Sequence, residues 1–298
     1  MADNIGNKAA HDYHVNVPAA AEGFFVKGCN HVNYGMKARL SKIFNPDSGN
    51  TVMLAFDHGF IMGPTAGLER IDLVIPPLAK YVDCLMGPRG GIQACIPPEA
   101  RAARIVRLNY DSTVLYDDMS NGGGFTADAV SALALGADCF AVQCFVGAPG
   151  ESRSLELLGR AADWGAKYGI PTLGVTAVGK DMVRNEQYFL LATRVLAENG
   201  ANIVKTYYCD GFEHVASACP VPLVIAGGKK LPEPDALEMA YKAIQSGAHG
   251  VDMGRNIFQS DCPEGMARAI AAVVHDNYTP QQAYEIYEEC KHNMPIPF

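Results

Sequence analysis

RNEQYFLLATRVLAENGANIVKTYY, residues 184–208, reads as a helix, a stop and a buried strand in succession. Residues 184–199 carry apolar side chains at the three- and four-residue spacing of an amphipathic helix. Gly200 follows, where the end of a helix favours a residue that tolerates the left-handed conformation. Residues 202–207 (NIVKTY) are then apolar without alternation, as in a strand covered on both faces. This unit recurs in both directions. Downstream lie 222–227 (PLVIAG), a helix over 233–246, Gly247, 249–254 (HGVDMG) and a helix over 261–274. Residues 279–291 read as an added helix, placed on the barrel or on a neighbouring subunit. Upstream, buried-strand segments fall at 51–57, 81–86, 104–109, 138–145 and 171–176. A helix over 152–168 and the glycines Gly136 and Gly169 punctuate them.

Eight such strands, each followed by a helical or loop segment, predict an α/β fold: a TIM (β/α)8 barrel. Its domain spans 26–298, behind a polar N-terminal arm at 1–25, and a short amphipathic helix at 33–44 precedes the first strand. The competing doubly wound open sheet would carry a glycine fingerprint after its first strand if it bound a dinucleotide. DHGFIMGP stands there instead. Residues 110–125, with Gly122, Gly123 and Gly124, form the longest irregular stretch and are read as a mobile loop over the active face.

The net charge of −8 and pI near 5.5 argue against general affinity for nucleic acid or anionic membrane. An anionic substrate would have to be met by a local basic patch. No apolar run is long enough to span a bilayer, and the N-terminus lacks a secretory pattern, so a cytoplasmic location is expected. Nine cysteines without a CxxC pair suit free thiols in a reducing compartment. No metal-ligand spacing is present, and no metal or cofactor is expected.

In a barrel, chemistry sits at the C-terminal ends of the strands. That rule selects Asp57, His58, Arg107, Thr176, Lys180, Lys205 and Arg255. Lys205 lies inside an apolar strand, where lysine is rare unless paired. Desolvation favours the neutral amine, which attacks a ketone to form an imine. The alternative is a structural ion pair, with Asp57 as the obvious partner. Two further ends, Gly227-Gly228 and Gly254-Arg255, have the character of the phosphate site that commonly follows the last two strands. Glycine admits backbone N–H groups close to an anion, and arginine adds a bidentate contact. Asp57 is a candidate to orient or deprotonate a hydroxyl, and His58, Lys180 and Tyr207 are candidate acid/base or substrate contacts.

LAFDHG (54–59), IVKTYY (203–208), VIAGGKK (224–230) and GVDMGRNIFQ (250–259) resemble the archaeal-type class I fructose-bisphosphate aldolases over residues 24–290. The likeness is greatest to the branch that acts as a thiolase on the phosphorylated autoinducer-2 signal. The resemblance implies a Schiff-base role for Lys205, a catalytic Asp57, and phosphate binding by Gly227, Gly228, Gly254 and Arg255. It also implies a homo-oligomer, commonly a decamer. One position departs: Phe145, in QCFVG, stands where the aldolases carry a tyrosine acid/base, and phenylalanine transfers no proton. The first expectation is a class I aldolase acting on a phosphorylated ketose. The alternative is acyl transfer from a phosphorylated diketone to coenzyme A as co-substrate. A third reading is a barrel that binds a phosphosugar without turnover.

Overall fold

In a computed structural model, which describes residues 23–116, 123–177 and 183–293, eight strands close into a parallel barrel. They are β1 (Thr51–Ala55), β2 (Cys84–Pro88), β3 (Ala103–Arg107), β4 (Cys139–Cys144), β5 (Thr172–Thr176), β6 (Ile203–Tyr207), β7 (Leu223–Ala226) and β8 (Gly250–Met253). Each pairs in parallel with its sequence neighbours, and β8 closes on β1 with Thr51 opposite Gly250. The TIM barrel is therefore the fold, not the open sheet. The four junction glycines all take positive φ: Gly136 (72°), Gly169 (69°), Gly200 (102°) and Gly247 (95°).

Two-sided burial explains the unalternating strands. Val52, Leu54, Phe140, Val142 and Val204 face the surrounding helices, among them Glu151–Tyr168, Glu186–Glu198, Glu233–Gln245 and Pro263–Asp276. Met53, Cys84, Ala103, Cys139, Leu173 and Ile203 point inward and fill the lower barrel. The helix Tyr34–Ile43 covers the N-terminal mouth, adding Met36, Leu40 and Ile43 to that inner cluster. Arg39 donates to the carbonyl of Gly169 at 3.0 Å, and Lys42 pairs with Asp138 at 2.7 Å, both just ahead of strands. The bottom is thus plugged, and the C-terminal mouth is the end left open to a ligand.

Two details differ from the sequence reading. The second strand begins at Cys84 rather than residue 81, because the Pro76-Pro77 pair starts a 3-10 turn that runs to Tyr81. After β3, Asn109–Tyr110 pairs antiparallel with Gly124–Phe125, so both ends of the irregular stretch are strapped to the mouth. Its centre, including Gly122, lies outside the described residues, as do residues 1–22 of the expected arm. From residue 26 the chain is packed into the fold: Val26 and Cys29 are buried, and Lys27 Nζ donates to the carbonyl of Ala216 at 2.8 Å. The final helix, Pro280–His292, packs on the helices Glu233–Gln245 and Pro263–Asp276 of the same chain. Among the described residues, no helix is long and apolar enough to cross a membrane.

Candidate active site

The inward positions above the apolar fill are polar, and they surround a cavity of about 210 Å³ at the C-terminal mouth. Such a volume suits a small metabolite rather than a large ligand. On β6, Lys205 reaches into it. Its Nζ lies 3.0 Å from Asp252 Oδ2 on β8 and 4.0 Å from the sulfur of Met86 on β2. The ion-pair partner is therefore Asp252, not Asp57. The reason is register: Asp252 sits beside Ala226 of β7 and Met53 of β1, at the level of the lysine head. The contact is a salt bridge inside the barrel mouth, with Asp252 almost wholly buried. Burial pushes Asp252 above the ordinary carboxylate value, and the charge of Lys205 offsets only part of that.

Asp57 belongs to a second network. Arg107 Nη1 donates to Asp57 Oδ2 at 2.8 Å, with both side chains nearly buried. Burial pushes the Asp57 carboxyl up, but the charges of Arg107, Lys205 and His58 outweigh it, and the net shift is downward. Arg107 Nε donates to the carbonyl and Oδ1 of Asn109 at 3.1 and 3.2 Å, and Nη2 donates to Gln143 Oε1. Asn109 in turn brackets the Gln143 backbone, accepting from its N–H and donating to its carbonyl, both at 2.9 Å. Every donor nitrogen of this buried guanidinium has an oxygen, as a buried charge requires.

The two glycine ends meet on the opposite wall. Gly228 has φ of 64°, a conformation in which a side chain is strained. At Gly254 a Cβ would stand 2.4 Å from the carbonyl oxygen of Ala55, so only glycine fits. Asn256, fully buried, ties the two loops together: it donates to the carbonyl of Gly227 and accepts from the N–H of Leu231, both at 2.8 Å. Arg255 lines the same cavity, and its Nε is buried without a hydrogen-bond partner among the described residues. Thr176 Oγ1 and His58 Nδ1 are in the same condition. Unpartnered polar atoms around one cavity are what a polar ligand would satisfy. Burial lowers the pKa of His58, so its ring, edge-on to Phe258 at 5.4 Å, is neutral at pH 7.

Of the residues expected from sequence, Asp57, His58, Arg107, Thr176, Lys205, Tyr207, Gly227, Gly228, Gly254 and Arg255 all line this one cavity. Tyr207 stands at its rim beneath Arg184, whose guanidinium lies 4.4 Å from the ring centre. Lys180 lies outside the described residues. On β4 the side chain that reaches the cavity is Gln143, whereas Phe145 is buried beyond the strand end and does not line it. Asp252, Gln143 and Asn109 were missed from sequence. Asp252 had the same signal as Lys205, a charge inside the apolar run HGVDMG. Gln143 stands likewise in DCFAVQCF.

The comparisons with known proteins agree with this fold. A family model described as "DeoC/LacD family aldolase" matches residues 51–260. The chain is 49% identical over 291 residues to an uncharacterized aldolase of Pasteurella multocida, covering 96% of this chain and 99% of that one. It is 49% identical over 288 residues to the 3-hydroxy-5-phosphonooxypentane-2,4-dione thiolase of Yersinia enterocolitica, covering 96% and 98%. Among solved structures, a Schiff-base-forming fructose-1,6-bisphosphate aldolase superposes with a TM-score of 0.71 at 27% identity, covering 80% of this chain and 99% of that one.

Proposed function

Because the chain belongs to the DeoC/LacD aldolase family, we propose that it is a thiolase holding a phosphorylated diketone as an imine on Lys205. The observation that carries this reading is Lys205 itself, inside the barrel mouth at 3.0 Å from the buried Asp252. The relative from Yersinia enterocolitica supplies the substrate class, a five-carbon phosphorylated dione. Gly227, Gly228, Gly254 and Arg255 hold the phosphate and so set the distance from it to the reacting ketone. The ketone nearest the phosphate meets the Lys205 amine, and loss of water gives the iminium. Asp252, with its raised pKa, is placed to exchange the protons of that step. Coenzyme A thiol then adds to the other ketone. The bond between that carbon and the central carbon breaks, releasing a thioester, and its electron pair enters the iminium to give an enamine. The proton lost by the thiol is returned at the central carbon. Hydrolysis frees Lys205 and a three-carbon ketose phosphate.

A second reading, an aldolase acting on a phosphorylated ketose, uses the same iminium and the same enamine. The match to the Schiff-base-forming aldolase supports it. It differs in needing a base to take the proton of the leaving hydroxyl. The side chain that β4 contributes is an amide, which cannot take one.

Borohydride reduction with the phosphorylated dione or dihydroxyacetone phosphate, followed by intact mass and peptide mapping, tests the imine. The adduct is expected on Lys205 in wild type and absent from Lys205→Ala. Thioester formation from the dione and coenzyme A separates the two reactions. If neither ligand is trapped although both bind, Lys205 is a structural ion-pair lysine and the barrel a binding protein.

A further inference from the structure

Resting on that reading, we infer that Gln143 is the oxyanion donor of the acyl-transfer step. When a thiolate adds to a ketone, the carbonyl oxygen becomes an alkoxide, and a fixed hydrogen-bond donor at that oxygen lowers the barrel enzyme's transition state. The donor must be preorganised and must face the cavity. Gln143 meets both conditions. Its Oε1 accepts from Arg107 Nη2, and a guanidinium has no acceptor, so the amide oxygen must face Arg107 and the NH2 group must face away from it. Arg107 is itself immobilised by Asp57 at 2.8 Å and by Asn109, and the Gln143 backbone is clamped on both sides by Asn109. Among the described residues, the Gln143 Nε2 has no hydrogen-bond partner, while the residue lines the cavity.

Position fits the chemistry as well. Gln143 is in register with Val175 on β5, and Val175 with Lys205 on β6. The amide and the lysine thus lie in one row of the barrel, two strands apart, or roughly 9–10 Å between backbones. Both side chains project inward from that row, one on each side of Val175. In the dione the iminium carbon and the carbon under attack are separated by a single carbon. A substrate anchored at Lys205 therefore presents its second carbonyl on the Gln143 side. The electron pair that forms the alkoxide comes from the carbonyl π bond, and its return on collapse expels the enamine. Gln143 donates throughout and transfers no proton. This assigns a purpose to the Asp57–Arg107 pair: it fixes which end of the amide meets the substrate.

The test separates imine formation from acyl transfer in the intact enzyme. Gln143→Glu keeps the acceptor for Arg107 but removes the donor, and Gln143→Met removes both. If Gln143 is the donor, both variants give the borohydride-trapped Lys205 adduct with dihydroxyacetone phosphate as wild type does. Thioester formation from the dione then falls about 100- to 1000-fold in kcat, the usual cost of one oxyanion donor, with KM nearly unchanged. A residue that only supports Arg107 predicts the opposite for Gln143→Glu, which would retain thioester formation. That result overturns the inference, as does a parallel loss of adduct and thioester in both variants. Failure of wild type to form the adduct or the thioester instead overturns the proposed function and is read independently of any Gln143 variant.

Discussion

Replacing Arg107 by methionine tests how the site is held together. Arg107 is 3% exposed and Asp57 9% exposed, so the ion pair between them is effectively screened from water. Methionine fills a similar volume but donates nothing. Asp57 would then be left as a buried carboxylate facing only the more distant charge of Lys205, and Asn109 Oδ1 and Gln143 Oε1 would lose a donor. Breaking a buried pair from one side costs about 3–5 kcal/mol. With an unfolding entropy of about 2.1 cal/mol/K per residue, 298 residues convert each kcal/mol into roughly 1.6 °C, so Tm should fall by roughly 5–8 °C.

The pH dependence gives the sign. In wild type the folded pKa of Asp57 lies below its unfolded value near 3.9, so the pair's contribution is complete above that pH and is lost as pH falls through the folded value. In Arg107→Met, burial outweighs the remaining charges and the folded pKa rises. The folded variant then takes up a proton as pH falls from 7 toward about 4, which relieves its buried charge. The Tm gap between wild type and variant should narrow over that interval. Arg107→Met/Asp57→Asn, with no carboxylate left to strand, should recover at least half of the loss at pH 7. Thermal denaturation at several pH values measures both effects. A gap constant with pH, together with a double variant no more stable than the single one, would refute the argument that an uncompensated Asp57 is the source.

Arg255→Ala should raise KM for the phosphorylated substrate by roughly 10- to 100-fold, the equivalent of one charge-assisted hydrogen bond of about 1.5–3 kcal/mol, and should weaken inhibition by inorganic phosphate in parallel. Steady-state kinetics with phosphate as competitor would read this, and an unchanged inhibition constant would place the phosphate elsewhere. Leu40→Ala, at a fully buried position in the helix that plugs the barrel floor, should cost about 2–5 kcal/mol of stability while leaving KM unchanged, because the cavity is at the other end of the barrel. Chemical denaturation alongside kinetics checks both halves.

The barrel was legible because its evidence is local and repeated. Each strand had to be apolar on both faces, and each of four junctions needed a residue able to take positive φ; both requirements are written one segment at a time. The boundary at 81–86 was misread for a local reason too, since Pro76-Pro77 turns the chain before the strand begins. Partnerships inside the mouth were less legible. A charge within an apolar run announces that it must be paired, but not with which other charge. Asp57 and Asp252 both qualify as partners for Lys205, and only the stagger of β1 against β8 decides. Gln143 was passed over because an uncharged side chain among apolar residues gives a weaker signal than lysine or aspartate. Its importance arises from Arg107, which comes from a different strand.

The division of labour among these residues bears on which reaction the site favours. Aldol cleavage and acyl transfer share an electron sink, the iminium on Lys205, so the sink cannot distinguish them. What distinguishes them is the group facing the fragment that leaves. Aldol cleavage needs a proton acceptor there, and acyl transfer needs a donor to an oxyanion. Asp57 is a poor acceptor, because Arg107 occupies one of its oxygens and the surrounding charges lower its pKa. The neutral ring of His58 can accept a proton, but it lies edge-on to Phe258 beside the Gly254 loop, at the phosphate end of the cavity. Asp252 has the proton affinity, but it sits against the Lys205 amine, where imine exchange needs it. The β4 wall offers an amide whose oxygen is already taken by Arg107 and whose hydrogens have no partner among the described residues. On this balance the site is arranged to stabilise a developing oxyanion, which favours the acyl transfer over the aldol cleavage.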